Sequence, residues 1–325
     1  MSIIINVLTG LMKLRDAWPK INTNFANIKA EIDTIVVNAS VDPEVALARD
    51  SAVKSKVFGS LDARLEESEQ DRVTDKADNT TYKTNQLIQT KDVKFIGHRG
   101  AMLSCPENTL VSYIMTARSG SWGGECDISP TSDGVWVLQH DDTIDRMTTG
   151  TGAVTALTYA QIRAETINSG TSIGCYPNLK VPSLAEYLDV CRKYSLIPVM
   201  EVKTSTSAEN YDSLLALLKA YGVETKGIII SGSLMALQSI RQRSDIKLQY
   251  VVASYDSTIL DSIVALKNAD IDIEYTHLTA QIVKDCHAVN VGVNIWTVDD
   301  FGSTRWAISL GVDYITSNKV RGMRW

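Results

Sequence analysis

The chain has 325 residues, 44% hydrophobic and 22% charged, with a net charge of −6 and a pI near 5.3. This length predicts two units, or one large domain with an appendage, and the apolar content excludes wholesale disorder. The acidic balance lacks the basic footprint of a nucleic-acid-binding protein, and it requires any anionic substrate to meet a local cationic site or a metal. Glycine is unevenly distributed: of 19, only Gly10 and Gly59 precede residue 97, so the two parts of the chain are built differently.

Residues 1–12 are apolar, but Lys13 and Arg15 follow that run instead of preceding it. This is the wrong polarity for a secretory signal, and the run is too short to span a bilayer. We therefore expect a protein made in the cytoplasm without a signal peptide and without membrane insertion. Leu11, Leu14, Trp18, Ile21, Phe25, Ile28, Ile32 and Ile35 alternate spacings of three and four, the repeat that winds helices around one another. Isoleucine at several core positions leans toward three strands, although a helix packed on the chain's own globular domain fits the same pattern. Pro19 fits the first turn of a helix beginning near Trp18. Asp42-Pro43-Glu44 reads as a helix start, and Val53, Val57, Leu61 and Leu65 form a second amphipathic stripe. The polar stretch from Glu66 to Lys91 reads as a linker or stalk.

The segments DAWPKINTNFANIKAEI (Asp16 to Ile32), DPEVALARDSAV (from Asp42) and LDARLEE (to Glu67) resemble the N-terminal region of bacteriophage tail-fibre and baseplate proteins. The resemblance implies a trimeric helical stem over residues 1–92 that joins other phage tail proteins. It places the protein on a virion tail, acting at the bacterial cell surface.

From Lys94 onward, short apolar runs alternate with helical patterns. Candidate strands are Lys94–Gly97, Gly124–Ile128, Ile197–Val202, Gly227–Ser231, Lys247–Val252, Ile271–Tyr275, Val291–Trp296 and Tyr314–Thr316, with helices such as Leu184–Tyr194 and Ser213–Tyr221 between them. This predicts an α/β fold, a (β/α)8 TIM barrel over residues 93–325, with a doubly wound open sheet as the alternative. No GxGxxG turn follows the first strand, against a dinucleotide-binding version. Residues 130–180 are too long for a simple connection and read as a small insertion after strand 2, with a hairpin at Val135–Gln139. The five cysteines are scattered without a CxxC pair, which supports neither a zinc site nor a disulfide framework.

Polar residues fall at strand ends: His98 and Arg99 after the first, Glu125 and Asp127 two apart on the second, Glu201 and Lys203 two apart at the end of the third. Residues two apart share a face of a strand, and active sites of this fold lie at the C-terminal strand ends. Three carboxylates there would repel one another without a cation, and an all-oxygen set suits Ca²⁺ or Mg²⁺. His98 and His140 are candidates for acid and base, in an order the sequence leaves open. His277 and His287 lack such company and are expected to be structural or solvated.

These residues lie in spaced motifs: HRG (His98 to Gly100), PENT (Pro106 to Thr109), ECD (Glu125 to Asp127), TSDG (Thr131 to Gly134), HDDTIDRMTTGTG (His140 to Gly152), VPSLAEYL (Val181 to Leu188), EVK (Glu201 to Lys203) and WTV (Trp296 to Val298). In this order they resemble the glycerophosphodiester phosphodiesterases over Lys94 to the C-terminus. The resemblance implies one divalent cation held by Glu125, Asp127 and Glu201, with His98 and His140 as the acid/base pair. It further implies Arg99 and Lys203 on phosphate oxygens, Trp296 in the substrate pocket, and Glu107 bracing the first loop or touching the metal shell. One departure is visible: the family's last strand commonly ends in Thr-Asp, whereas here Thr316-Ser317-Asn318 stands. Joined to the stem, the expected activity is cleavage of a glycerol-phosphate polymer such as wall teichoic acid. The alternatives are a receptor-binding module with little turnover, a cellular enzyme acting on deacylated phospholipids, and, least favoured, a phospholipase-D-like toxin.

Overall fold

A computed structural model describes residues 50–51, 56–57, 93–203 and 206–320. The chain divides into two units, Met1–Ile88 and Gln89–Trp325. In the first, the described residues form two short antiparallel strands, β1 (Asp50–Ser51) and β2 (Lys56–Val57). Val57 therefore lies in a strand and not on the helical stripe expected for it. The coiled-coil pattern of residues 11–35, the helix start at Asp42 and the stalk from Glu66 lie outside the described residues.

The second unit is a closed barrel. Eight parallel strands follow one another around it: β3 (Lys94–Gly97), β4 (Gly123–Pro130), β6 (Ile197–Val202), β7 (Ile228–Ser231), β8 (Lys247–Val252), β9 (Ala269–Glu274), β10 (Val293–Trp296) and β11 (Tyr314–Ser317). β11 pairs with β3 and β3 with β4, which closes the ring and decides between the barrel and an open sheet. The hairpin strand β5 (Trp136–Leu138) runs back antiparallel along β4.

The helices are α1 (Leu110–Arg118), α2 (Tyr159–Ala164), α3 (Leu184–Tyr194), α4 (Ala208–Ala220), α5 (Leu234–Arg241), α6 (Ser257–Leu266), α7 (Ala280–Ala288) and α8 (Phe301–Leu310). Each of these begins on a Ser, Thr or Asp side chain that accepts a backbone N–H of the first turn, namely Thr109, Thr158, Ser183, Ser207, Ser233, Asp256, Thr279 and Asp300. Each such cap contributes about 1 kcal/mol and sets where its helix starts. Ser207 thus begins α4 six residues before the Ser213 expected from apolar spacing alone.

Three apolar clusters follow from the alternation of strand residues. Outward-facing residues such as Cys126, Met200, Leu248 and Ile295 pack beneath the helices. Ile96, Val199, Ile228, Ile230 and Tyr314 form a separate cluster. They alternate with those outward residues along their strands and so belong to the lumen. The insertion carries its own small core of Val137, Ile144, Met147, Val154, Ile162, Ile167 and Val181, which holds its loops against the end of the barrel. Farther along the lumen the filling turns polar. Asn294 donates to Gln249 Oε1 at 3.0 Å and accepts from Thr316 Oγ1 at 3.3 Å. The cysteines are free thiols, Cys175 exposed and the other four buried.

Candidate active site

The loop after β3 is shaped by its backbone. His98 N donates to Ser317 O at 2.9 Å, tying the loop to the end of β11. Arg99, Gly100 and Asn108 have φ of 51°, 81° and 52°, the left-handed region. Asparagine tolerates that region, and glycine enters it without strain. At Gly100 a Cβ would also collide with the Ser112 side chain. Gly100→Ala is expected to cost about 1–3 kcal/mol of stability, from the left-handed strain plus the clash. Denaturant unfolding checks this; an unchanged midpoint would mean that the loop relaxes freely.

This turn aims the Arg99 backbone N–H at Glu125 Oε2, 2.8 Å away. Glu125 and Asp127 leave β4 on one face, and in the parallel register Asp127 stands beside Glu201 of β6. Oxygens of Glu125, Asp127 and Glu201 lie within 4.8 Å of one another, with Glu125 and Asp127 fully enclosed. At an effective dielectric of about 20, unit charges that close repel by about 3–4 kcal/mol per pair. Burial pushes the Glu125 carboxyl well above its ordinary value, and its carboxylate neighbours Asp127 and Glu201 push it further. Burial likewise raises Glu201, with Asp127 adding to it and Lys203 opposing. For Asp127 burial also acts upward, but Lys203, Arg99 and His140 outweigh it and hold the group at about 2.

Lys203 Nζ lies 2.8 Å from both Asp127 Oδ1 and Glu201 Oε2. Burial alone would lower this ammonium, but the two carboxylates hold it above its ordinary value. The structure thus places Lys203 on two carboxylates. Arg99 divides similarly: Nη1 donates to Glu107 Oε1 at 3.2 Å and Nε lies 3.4 Å from Asp127 Oδ2. Glu125 Oε1 is buried with no hydrogen-bond partner. An enclosed, unpartnered carboxylate oxygen among two further carboxylates fits a hard divalent cation better than any neutral ligand.

The two histidines have different partners. His98 Nδ1 lies 2.7 Å from Asn318 Oδ1. His140 Nδ1 lies 2.7 Å from Asp141 Oδ1. Asp141 in turn accepts from Arg146 Nε at 2.6 Å, and that hydrogen bond holds its carboxyl at about 2 against a smaller upward push from burial. Arg146 Nη2 donates to Glu107 Oε1 at 2.7 Å, so Glu107 ties Arg99 to the His140 side of the site. Trp296 ends β10 half-buried, its Nε1 donating to the Asp272 carbonyl at 3.2 Å. His277 stands exposed beside Glu274 just after β9, and His287 Nε2 lies 2.8 Å from Asp313 Oδ2, ahead of β11. A cavity of about 510 Å³, lined by Lys94, Trp122, Lys226, Lys247 and Tyr314, opens at the opposite, N-terminal end of the barrel and takes no part in the chemistry.

The site holds further residues beyond those that charge and strand spacing single out. Asn108 donates from Nδ2 to Asp127 Oδ2 at 2.7 Å and accepts from the Tyr113 hydroxyl at 2.8 Å; its place in PENT was the available signal. Asp141 and Arg146 lie inside the HDDTIDRM run. Asp272 is buried in the lumen, its carboxyl raised by burial and by Glu201, and only the fold brings it there.

The profile of the "Glycerophosphoryl diester phosphodiesterase family" matches residues 98–321. "Glycerophosphodiester phosphodiesterase 1" of Bos taurus is 37% identical over 138 residues, 42% of this chain; the match spans only 40% of that relative's length. The glycerophosphodiester phosphodiesterase of Caldanaerobacter subterraneus subsp. tengcongensis is 26% identical over 231 residues, covering 69% of this chain and 93% of the relative. Among solved structures, an Oleispira antarctica phosphodiesterase in complex with the product sn-glycerol-3-phosphate superposes with a TM-score of 0.63 and 25% identity, covering 69% of this chain and 92% of that one. A glycerophosphodiester phosphodiesterase from Parabacteroides distasonis gives 0.59 and 25%, covering 70% and 93%.

Proposed function

This chain belongs to the glycerophosphoryl diester phosphodiesterase family, and from that premise we propose that it is a phosphoric diester hydrolase whose barrel cleaves glycerophosphodiester bonds, with a glycerol-phosphate polymer of the teichoic acid type as substrate and a phage tail as its carrier. The observation that carries the reaction class is the cluster of three carboxylates at the C-terminal strand ends, flanked by His98, His140, Arg99 and Lys203. Glu125, Asp127 and Glu201 would hold a divalent cation, Ca²⁺ or Mg²⁺. When bound, such an ion withdraws charge from a phosphodiester and lowers the pKa of a coordinated hydroxyl.

The chain's own groups do the rest. Arg99 offers a planar fork of donors to phosphate oxygens, and Lys203 a compact charge once its carboxylate partners are otherwise neutralised. One histidine takes the proton from the attacking hydroxyl, and the other gives one to the leaving alkoxide. A neighbouring glycerol hydroxyl serves as the attacking group, which gives a cyclic phosphate that water then opens. Rapid-quench detection of the cyclic product supports this order; ¹⁸O-labelled product formed from the earliest times with no cyclic phosphate detected overturns it.

The polymer and the carrier rest on the heptad-like pattern of residues 11–35 and its likeness to tail-fibre stems. A second reading, a cellular enzyme for deacylated phospholipids, draws on the relatives, which include a mammalian phosphodiesterase. Mass spectrometry of products from defined teichoic acids and from glycerophosphocholine, with and without chelator, separates the readings. Glycerol phosphate released from the polymer by wild type, but not by Glu125→Ala or His98→Ala, supports the first. Equal release by all three sinks the enzymatic assignment, and adsorption without degradation turns the barrel into a receptor-binding module. A stable trimer in sedimentation supports the tail stem, and a monomer whose first 90 or so residues are dispensable supports the cellular enzyme.

A further inference from the structure

The departure at the end of the last strand has a structural counterpart. Asp299, just beyond β10, accepts twice from Asn318: the backbone N–H to Oδ1 at 2.8 Å and the side-chain Nδ2 to Oδ2 at 2.6 Å. Its Oδ1 also accepts from the Ser317 hydroxyl at 3.0 Å. A carboxylate only accepts, so the amide nitrogen of Asn318 has to face Asp299. The amide oxygen is then the atom directed at His98, 2.7 Å from Nδ1. An amide oxygen also only accepts, so Nδ1 has to carry a hydrogen, and a neutral ring keeps its lone pair on Nε2.

We propose that Asp299 and Asn318 form a positioning pair that holds His98 in its Nδ1–H form, so that Nε2 of His98 is the proton acceptor of the site. The identity of the proton it takes rests on the phosphodiesterase reading above; the tautomer does not. The groups facing the ring favour its neutral form. Burial lowers its pKa most; Arg99 on its own loop and Lys203 beyond β6 add to that, while the Asn318 hydrogen bond and Asp127 of β4 oppose it. The carboxamide accepts the Nδ1 hydrogen without bringing a negative charge into contact with the ring, because that charge sits on Asp299 one group farther out. His140 meets the carboxylate of Asp141 directly, an arrangement that offsets the charge of a protonated ring and suits the proton donor. The two partners thus divide the acid and base roles that the sequence leaves open.

Long-range ¹H–¹⁵N spectra of the full chain labelled with ¹⁵N-histidine, with His98 assigned by the signal lost in His98→Asn, read the tautomer above the ring's titration. The wild type is expected to show Nδ1–H. Asn318→Ala is expected to shift His98 toward Nε2–H and to lower kcat roughly 100-fold with KM within about twofold, as for a base held in the wrong tautomer. Asn318→Asp keeps Nδ1–H and moves the acidic limb of the rate profile to higher pH, because a carboxylate in contact favours the charged ring. Asp299→Asn frees the amide to rotate and lowers kcat with it. A wild-type ring carrying Nε2–H, or an Asn318→Ala protein with unchanged tautomer and kcat, overturns the proposal. The spectra need no substrate. An Nδ1–H ring in a protein that cleaves no glycerophosphodiester would therefore sink the functional reading and leave the positioning pair standing.

Discussion

Replacing Glu125 with glutamine is expected to lower turnover by about a thousandfold or more, while the chelated protein gains stability at neutral pH. The activity loss follows from removing one of three anionic oxygen donors, since cation-assisted charge stabilisation is worth several kcal/mol and each 1.36 kcal/mol is tenfold in rate. The stability gain follows from the same geometry. In the cation-free protein burial and two carboxylate neighbours raise Glu125 far above its ordinary value near 4.5. A carboxyl raised in the folded state stabilises fully below its ordinary value, and that contribution is lost as pH climbs toward the folded one. Wild type in chelator should therefore weaken from about pH 5 upward, and Glu125→Gln should weaken less.

Asp127 has the opposite sign. Held at about 2, it contributes stability above its ordinary 3.8 that disappears as pH falls through the folded value. Chemical denaturation from pH 3 to 8 in chelator, for both proteins, reads these slopes directly. Parallel curves above pH 5 would show that the carboxylates do not repel as argued. Adding Ca²⁺ or Mg²⁺ at about 100 times its Kd should stabilise the wild type by about 2.7 kcal/mol, through binding to the folded state alone.

The second large effect is at His140. His140→Ala is expected to reduce kcat by about 10²–10⁴-fold on glycerol-phosphate substrates, the usual contribution of a positioned proton donor or acceptor. In the proposed division of roles it is the donor: the ring meets Asp141, and Asp141 is held by Arg146. A donor matters only while the leaving alkoxide needs a proton. His140→Ala should therefore recover most of its rate on a nitrophenyl phosphodiester, whose leaving group departs unprotonated. His98→Ala should stay slow on both substrates, because the attacking hydroxyl still has to lose its proton. Equal rescue of the two variants would remove the division of roles. Arg146→Met, which leaves both histidines in place, should cost less than either substitution, as it loosens Asp141 and Glu107 without removing a proton carrier.

Much of this was visible before the fold was known. The alternation at Glu125/Asp127 and Glu201/Lys203 placed each pair on one strand face, because a strand's period of two is a local property. Apolar runs bounded by turn residues located the eight barrel strands to within two residues at each end, with β9 beginning at Ala269 and β10 at Val293. Helix starts were less legible where the cap stood ahead of the apolar stripe, as Ser207 does for α4. Asn108 and Asp299 carry no charge pattern that announces a role. Their partners, Asp127 and Asn318, lie 19 residues away in each case.

By itself the sequence determined the family and the spacing that sets the histidine and carboxylate candidates along the strands and loops. These depend on which residue types recur at spacings of two along strands and in short loops. Closure of the ring, the 4.8 Å approach of three carboxylates and the opposite shifts of Glu125 and Asp127 were decided only by the tertiary structure. The same holds for the partners that separate His98 from His140. Each of these depends on distance and burial, and in a barrel those are set by strands far apart in the chain that meet at one mouth. A histidine's tautomer is a property of its neighbour, and Asn318 becomes His98's neighbour only when β11 closes against β3.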